Sequence, residues 1–276
     1  MRDHIGKQIG VLTELARGVL FPPPGRGRVA LALAYGALCH AIFALAIGTM
    51  IAAMFFGMSR SLGAVPAPWD IAVSALLLVQ FPLLHSVLLT GRGMRLLGRL
   101  APAHGKTLST TTYAILASIQ LLLLFGLWTP SGIIWWQADG AAFWAICAAY
   151  AAAWVFLGLA IFDAGVELQS GALGWMSLAA NRRPRFPDMP ERGTFAFIRQ
   201  PIYVAFALTL WTVPTWTPDQ LAVAVALTAY CLGAPLLKER RFAKIYGERF
   251  ARYRARVPYA LPRLWRPKRD GRDPAK

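Results

Sequence analysis

Charge is what this chain has least of. Asp, Glu, Lys and Arg make up 15% of its 276 residues, and the 13 acids are outnumbered by 29 bases. None of the Lys or Arg falls inside the long apolar runs, which weakens a transporter reading, because ion and substrate paths through a membrane carry buried ionisable groups. The excess of +16 sits in loops and the tail, a distribution expected of a membrane surface and not of a nucleic-acid groove. Cysteine is scarce too. Cys39, Cys147 and Cys231 stand singly in apolar runs, which excludes a disulfide framework and reads as three small core hydrophobes. None of the four histidines has the spacing of a metal pair, so no metal is indicated.

What remains is apolar. Hydrophobic residues make up 57%, the mean hydropathy is +0.47 and there are ten tryptophans, the composition of a protein crossing a membrane several times. The fold expected is an all-α, polytopic helical bundle of about six spans. The runs are 29–58, 71–89, 110–128, 141–162, 201–217 and 219–237. The last two are joined by the tight, proline-bearing link PTWTPD and form a helical hairpin. Ahead of the spans, Ile5, Ile9, Leu12, Leu15 and Val19 recur at helical spacing, so a short helix lies on the membrane before FPPPGRGR ends it. Four regions follow: an interfacial segment 1–28, a membrane domain 29–237, a cytoplasmic amphipathic basic helix 238–262 and a disordered basic tail 263–276.

With six spans, every Lys and Arg except Arg60 lies on the side of the two termini. By the positive-inside rule both termini are cytoplasmic, in a bacterial inner membrane. The same side collects His85, Asp163, Glu167, Arg199 and Glu239. The hairpin folds Arg199, just before its first helix, back onto Glu239, at the end of its second. Asp163 reads as a helix-exit cap or an arginine partner, and His85 as a residue bonding two helices or lining a pocket. After Glu239 the residues Phe242, Tyr246, Phe250, Tyr253 and Val257 form an aromatic stripe opposite a basic face. Such a helix lies on anionic lipid, or closes a cofactor pocket with Glu239 as acceptor and with Gly247 allowing close approach.

Over about residues 29–262, with its motifs in the stretch Glu191–Pro262, the chain resembles the membrane methyltransferases of the isoprenylcysteine carboxyl methyltransferase type, and among them the bacterial enzymes acting on methanethiol. That family carries Arg-His-Pro-x-Tyr at the start of a helical hairpin, Glu-Glu-Arg after it, and an aromatic segment ending in Val-Pro and Pro. Here these are Arg199, Gln200, Pro201 and Tyr203; Lys238, Glu239 and Arg240; Tyr246, Gly247, Phe250 and Tyr253; then Val257, Pro258 and Pro262. The resemblance implies S-adenosyl-L-methionine as cofactor. It implies Arg199, Gln200, Tyr203, Glu239, Tyr246, Gly247 and Tyr253 as cofactor-binding residues, with Arg199, Glu239 and His85 serving the reaction. The implied acceptor is a small apolar thiol, with a prenyl or other lipid acceptor as the alternative, and anionic lipid as partner of the basic tail.

The chain departs from the family at three places: Gln200 stands for the motif histidine, Lys238 for the first glutamate, and Ile161 for a histidine before Phe162-Asp163. Glutamine hydrogen-bonds but cannot act as a base. Lysine for glutamate changes the local charge by two units. These changes keep open a non-catalytic membrane assembly protein with a degenerate site.

Overall fold

A computed structural model describes residues 2–101 and 103–262; the expected tail 263–276 lies outside the described residues. The chain is an α-helical bundle. Among the described residues five helices are long and apolar enough to cross a membrane: α2 (Arg26–Phe55), α3 (Trp69–Leu88), α5 (Gly105–Gly126), α6 (Gly140–Asp163) and α10 (Pro218–Arg256). A shorter apolar helix, α9 (Pro201–Trp211), completes the hairpin with α10. Helix α1 (Arg2–Leu20) precedes the spans, and α4 (Gly91–Leu100), α7 (Val166–Gln169) and α8 (Ala172–Ala179) lie between them.

Burial ranks the spans. In α5 61% of the apolar window is buried, in α3 only 11%. Helix α5 is therefore the central post, against which α2, α3, α4 and α8 pack. Close approach is built from small residues: a Cβ on Gly174 would overlap the Thr111 and Thr110 hydroxyls, and one on Gly36 the Trp175 ring. Leu38, Leu45, Trp144, Val155 and Leu159 remain exposed on the outer faces, as lipid-facing positions do.

The loops gather at two ends. At one end the Leu62 N–H bonds the Gly126 carbonyl at 2.7 Å, the Trp135 N–H the Trp216 carbonyl at 2.9 Å, and the Thr217 hydroxyl the Gly57 carbonyl. Two short antiparallel strands, β1 (Trp136–Gln137) and β2 (Thr215–Trp216), pair there. Asp219 ties this end together, accepting from Trp128 Nε1 at 3.1 Å and from the Ser131 N–H and hydroxyl at 2.9 and 2.6 Å. At the other end Arg28 donates to the Leu178 and Ala179 carbonyls at 2.7 and 2.6 Å. These are carbonyls at the C-terminus of α8, where a cation satisfies orphan acceptors and the helix dipole together.

Two boundaries differ from the sequence expectation. The fifth span is a helix of 11 residues ending at Trp211. At a rise of roughly 1.5 Å per residue it reaches about 16 Å, half the hydrocarbon core. Beyond it Thr212–Pro214 turns into the extended β2. No helix end occurs at Lys238, because α10 runs on from Pro218 to Arg256, broken only at Gly247 with φ 50 and ψ −123. Phe242 and Tyr246 thus continue the helix of the last span, and Phe250 and Tyr253 stand on the helical segment beyond the break at Gly247.

Candidate functional site

Two chain segments meet where α9 begins. A 3-10 turn, Gly193–Ala196, leads to Arg199 and Gln200, and Pro201 opens α9 at a position where the missing N–H costs nothing. The C-terminal segment runs alongside. The Arg199 N–H bonds the Pro258 carbonyl at 2.9 Å and the Gln200 N–H the Tyr259 carbonyl at 3.2 Å. Glycine is required before this turn. Gly193 has φ 61, and any Cβ there would strike the Asp163 carboxylate.

Arg199 and Glu239 form a buried two-point ion pair, Nε to Oε1 at 2.8 Å and Nη2 to Oε2 at 3.3 Å. Arg199 Nη1 also donates to the Arg254 and Val257 carbonyls, and the guanidinium lies over the Tyr259 ring at 5.6 Å. Gln200 donates from Nε2 to Glu239 Oε1 at 2.8 Å, while its Oε1 accepts from Lys238 Nζ at 3.3 Å. The four polar side chains form one chain of contacts in which each acceptor already has a donor. The void among Phe195, Arg199, Gln200, Lys238, Glu239, Phe242, Phe250 and Tyr253 is only about 10 Å³.

The other expected residues are placed unequally. Tyr203 faces Lys238, its ring centroid 5.9 Å from Nζ. Tyr253 is buried and donates to the Phe195 carbonyl at 2.7 Å. Phe250, Tyr253 and Val257 pack on Met189, with Phe242 and Tyr246 beside them, so the buried part of the stripe faces protein. Gly247 does not serve close approach: nothing lies within 4 Å of where its Cβ would stand. Its backbone conformation is the reason for glycine there. His85 stands apart from the ion pair. Its Nε2 shares a hydrogen bond with the Tyr113 hydroxyl at 2.7 Å, and it packs on Phe81 and Tyr230, joining α3, α5 and α10.

Asp163 caps the turn. Its Oδ2 accepts from the Thr194 N–H and hydroxyl at 2.7 and 2.9 Å, and Oδ1 meets His4 Nε2 at 3.0 Å. The carboxylate thus caps the 3-10 turn and not the exit of α6, and its other partner is a histidine of α1 in place of an arginine.

A feature the sequence did not signal is a cleft of about 910 Å³ beneath α1. Its walls include His4, Asp163 and Glu167 inside and Arg183, Arg185 and Arg192 near its mouth, and Pro190 borders both it and the small void. Glu167 is buried with Oε2 lacking a partner, and burial pushes its carboxyl pKa up. At the rim Arg249 holds Asp188 well below the usual carboxylate range through hydrogen bonds of 2.8 and 3.0 Å. The loop 182–192 shapes the cleft, and no motif marks it beyond Arg182, Arg183 and Arg185 around Pro184.

The bundle, the hairpin and the Arg199–Glu239 node are consistent with the resemblance to membrane methyltransferases that the motif residues imply. Its relatives bear out that likeness. It is 29% identical to methanethiol S-methyltransferase 2 of Bradyrhizobium diazoefficiens over 71% of this chain and 74% of that protein. It is also 29% identical to methanethiol S-methyltransferase of Crocosphaera subtropica, over 83% of this chain and 91% of the relative. The protein of that name from Mycobacterium tuberculosis is 27% identical over 84% of this chain and 96% of its own length. No family model matches the chain. No solved structure matches it.

Proposed function

We propose that this membrane protein is an S-adenosylmethionine-dependent methyltransferase whose acceptor is a small apolar thiol of the methanethiol type. The observation that carries the reading is the buried node of Arg199, Gln200 and Glu239 at the start of the α9–α10 hairpin. It occurs in a chain whose relatives are methanethiol S-methyltransferases. The donor set suits a zwitterionic cofactor. Arg199 offers a planar fork for a carboxylate, and Glu239 accepts from an ammonium or from sugar hydroxyls. In exchange these two residues give up the pairing they make with one another.

The cofactor supplies a methyl group already activated on a sulfonium, so the protein needs to align and to dry the site more than to move protons. A thiolate sulfur takes the methyl as the sulfonium S–CH3 bond breaks, the thiol proton having gone to solvent. Thiolates are nucleophilic without a general base, which accommodates glutamine at position 200. The basic loops gathered at the node's end of the bundle support, by the positive-inside rule, a reading in which the node and both termini face the cytoplasm across an inner membrane. The basic face of α10 beyond Glu239 fits anionic lipid there.

Membranes containing the protein, given methyl-labelled S-adenosylmethionine and methanethiol, should release labelled dimethyl sulfide. Label appearing in a lipid extract instead would reassign the acceptor. No transfer to either, with the protein folded, would overturn the enzymatic reading.

A further inference from the structure

Lys238 is half-buried, with its ammonium in an unusual setting. Its ammonium lies 5.5 Å from the Phe195 ring centroid, 5.9 Å from that of Tyr203 and 5.5 Å from that of Phe242. These distances fall within the reach of a cation on an aromatic face. Among the described residues its one hydrogen-bond partner is Gln200 Oε1 at 3.3 Å, and the neighbouring carboxylate, Glu239, is taken by Arg199 and Gln200.

An ammonium carries three N–H donors and is strongly hydrated, so three rings and one amide oxygen satisfy it poorly. A cation without N–H groups loses nothing there. Three aromatic faces converging on one point is the arrangement that takes onium groups.

We infer that Phe195, Tyr203 and Phe242 form a subsite for an onium cation, and that Lys238 is a tethered occupant that must swing out for a sulfonium ligand to enter. The inference rests on the proposed methyl donor and adds to it a gate at a place where this chain departs from the resembling motif, which has a carboxylate where Lys238 stands. Geometry makes the displacement obligatory: with Lys238 in place the void is about 10 Å³, far below the few hundred Å³ of an ordinary ligand pocket. Gln200 is the hinge of the exchange. It holds Lys238 with one end of its amide and Glu239 with the other, so release of Lys238 frees an acceptor beside the cage.

The test uses the full-length protein in nanodiscs, with folding checked by gel filtration. Binding of S-adenosylmethionine, a sulfonium, is compared with that of S-adenosylhomocysteine, a neutral thioether. Removing the tethered competitor in Lys238→Met should tighten the sulfonium about tenfold more than the thioether. Phe242→Leu, at a half-buried ring, should reverse that preference. In a separate arm Lys238→Ala should bind tetramethylammonium and the parent protein should not. Equal changes for sulfonium and thioether, together with no tetramethylammonium binding by Lys238→Ala, would overturn the subsite. Tetramethylammonium binding without affinity for either nucleoside would uphold the subsite while removing the methyl-donor reading.

Discussion

Arg199 and Glu239, 40 residues apart in sequence, share two contacts of 2.8 and 3.3 Å, and both side chains are about nine-tenths buried. The pair joins the chain ahead of α9 to the second half of α10, and through the Arg254 and Val257 carbonyls it also anchors the C-terminal segment. Deleting one partner strands the other charge, at a cost of roughly 3–5 kcal/mol, whereas replacing both by apolar groups is much milder.

The first prediction follows from that asymmetry. Arg199→Met and Glu239→Met should each lower the apparent Tm of the detergent-solubilised protein strongly, and the double variant less than the sum. Additive losses would mean that the two side chains act independently, against the geometry.

Glu167 supplies a pH prediction. Its folded pKa is raised by burial, so the folded state binds the proton more tightly than the unfolded chain. Its favourable contribution is present in acid and is lost as pH rises from the ordinary carboxylate value through the raised one. At neutral pH the buried carboxylate is therefore a cost. Glu167→Gln should raise the apparent Tm at pH 7 and leave it nearly unchanged near pH 4. A loss of stability at pH 7 would show that the cleft holds the ionised carboxylate in a favourable contact.

How much of this was legible in the sequence divides along physical lines. The spans were, because apolar length alone decides whether a helix can cross. The Arg199–Glu239 meeting was, because a hairpin with a short link must bring its ends together. The end of α9 at Trp211 was not: LWTVPTW is uncharged and mostly apolar, so hydropathy cannot separate the last helical turn from the extended β2 that pairs with β1. The join at Lys238 was misplaced because a change from apolar to charged residues marks where a helix leaves lipid and not where it ends; the backbone breaks only at Gly247. The cleft beneath α1 was hidden for a different reason. It is made by α1, α8, the loop 182–192 and Arg249 and Arg256, segments far apart in sequence that share no periodicity. Lys238 was visible as a departure in charge, but its three rings come from the 3-10 turn, α9 and α10, and only the fold brings them onto one ammonium.

The last prediction concerns which end of the bundle faces the cytoplasm. The loops holding Arg60 and Ile133 are gathered at one end, where Leu62 bonds the Gly126 carbonyl and Asp219 holds Trp128 and Ser131. Asn181 and Lys244 belong to the opposite end, with the Arg199–Glu239 node, and all four of these positions are exposed. Because the loops that carry Lys and Arg, apart from the one holding Arg60, are at the node's end among the described residues, the expectation under the positive-inside rule is that this end is cytoplasmic. Of the natural cysteines, Cys39 and Cys231 are buried and Cys147 is half-buried, so a Cys147→Ser background leaves little thiol to react. In intact cells a membrane-impermeant maleimide should label Arg60→Cys and Ile133→Cys in that background. Asn181→Cys and Lys244→Cys should react only after the cells are opened. Labelling of Lys244→Cys in intact cells would invert the orientation and, with it, remove the methyl donor's access from the cytosol.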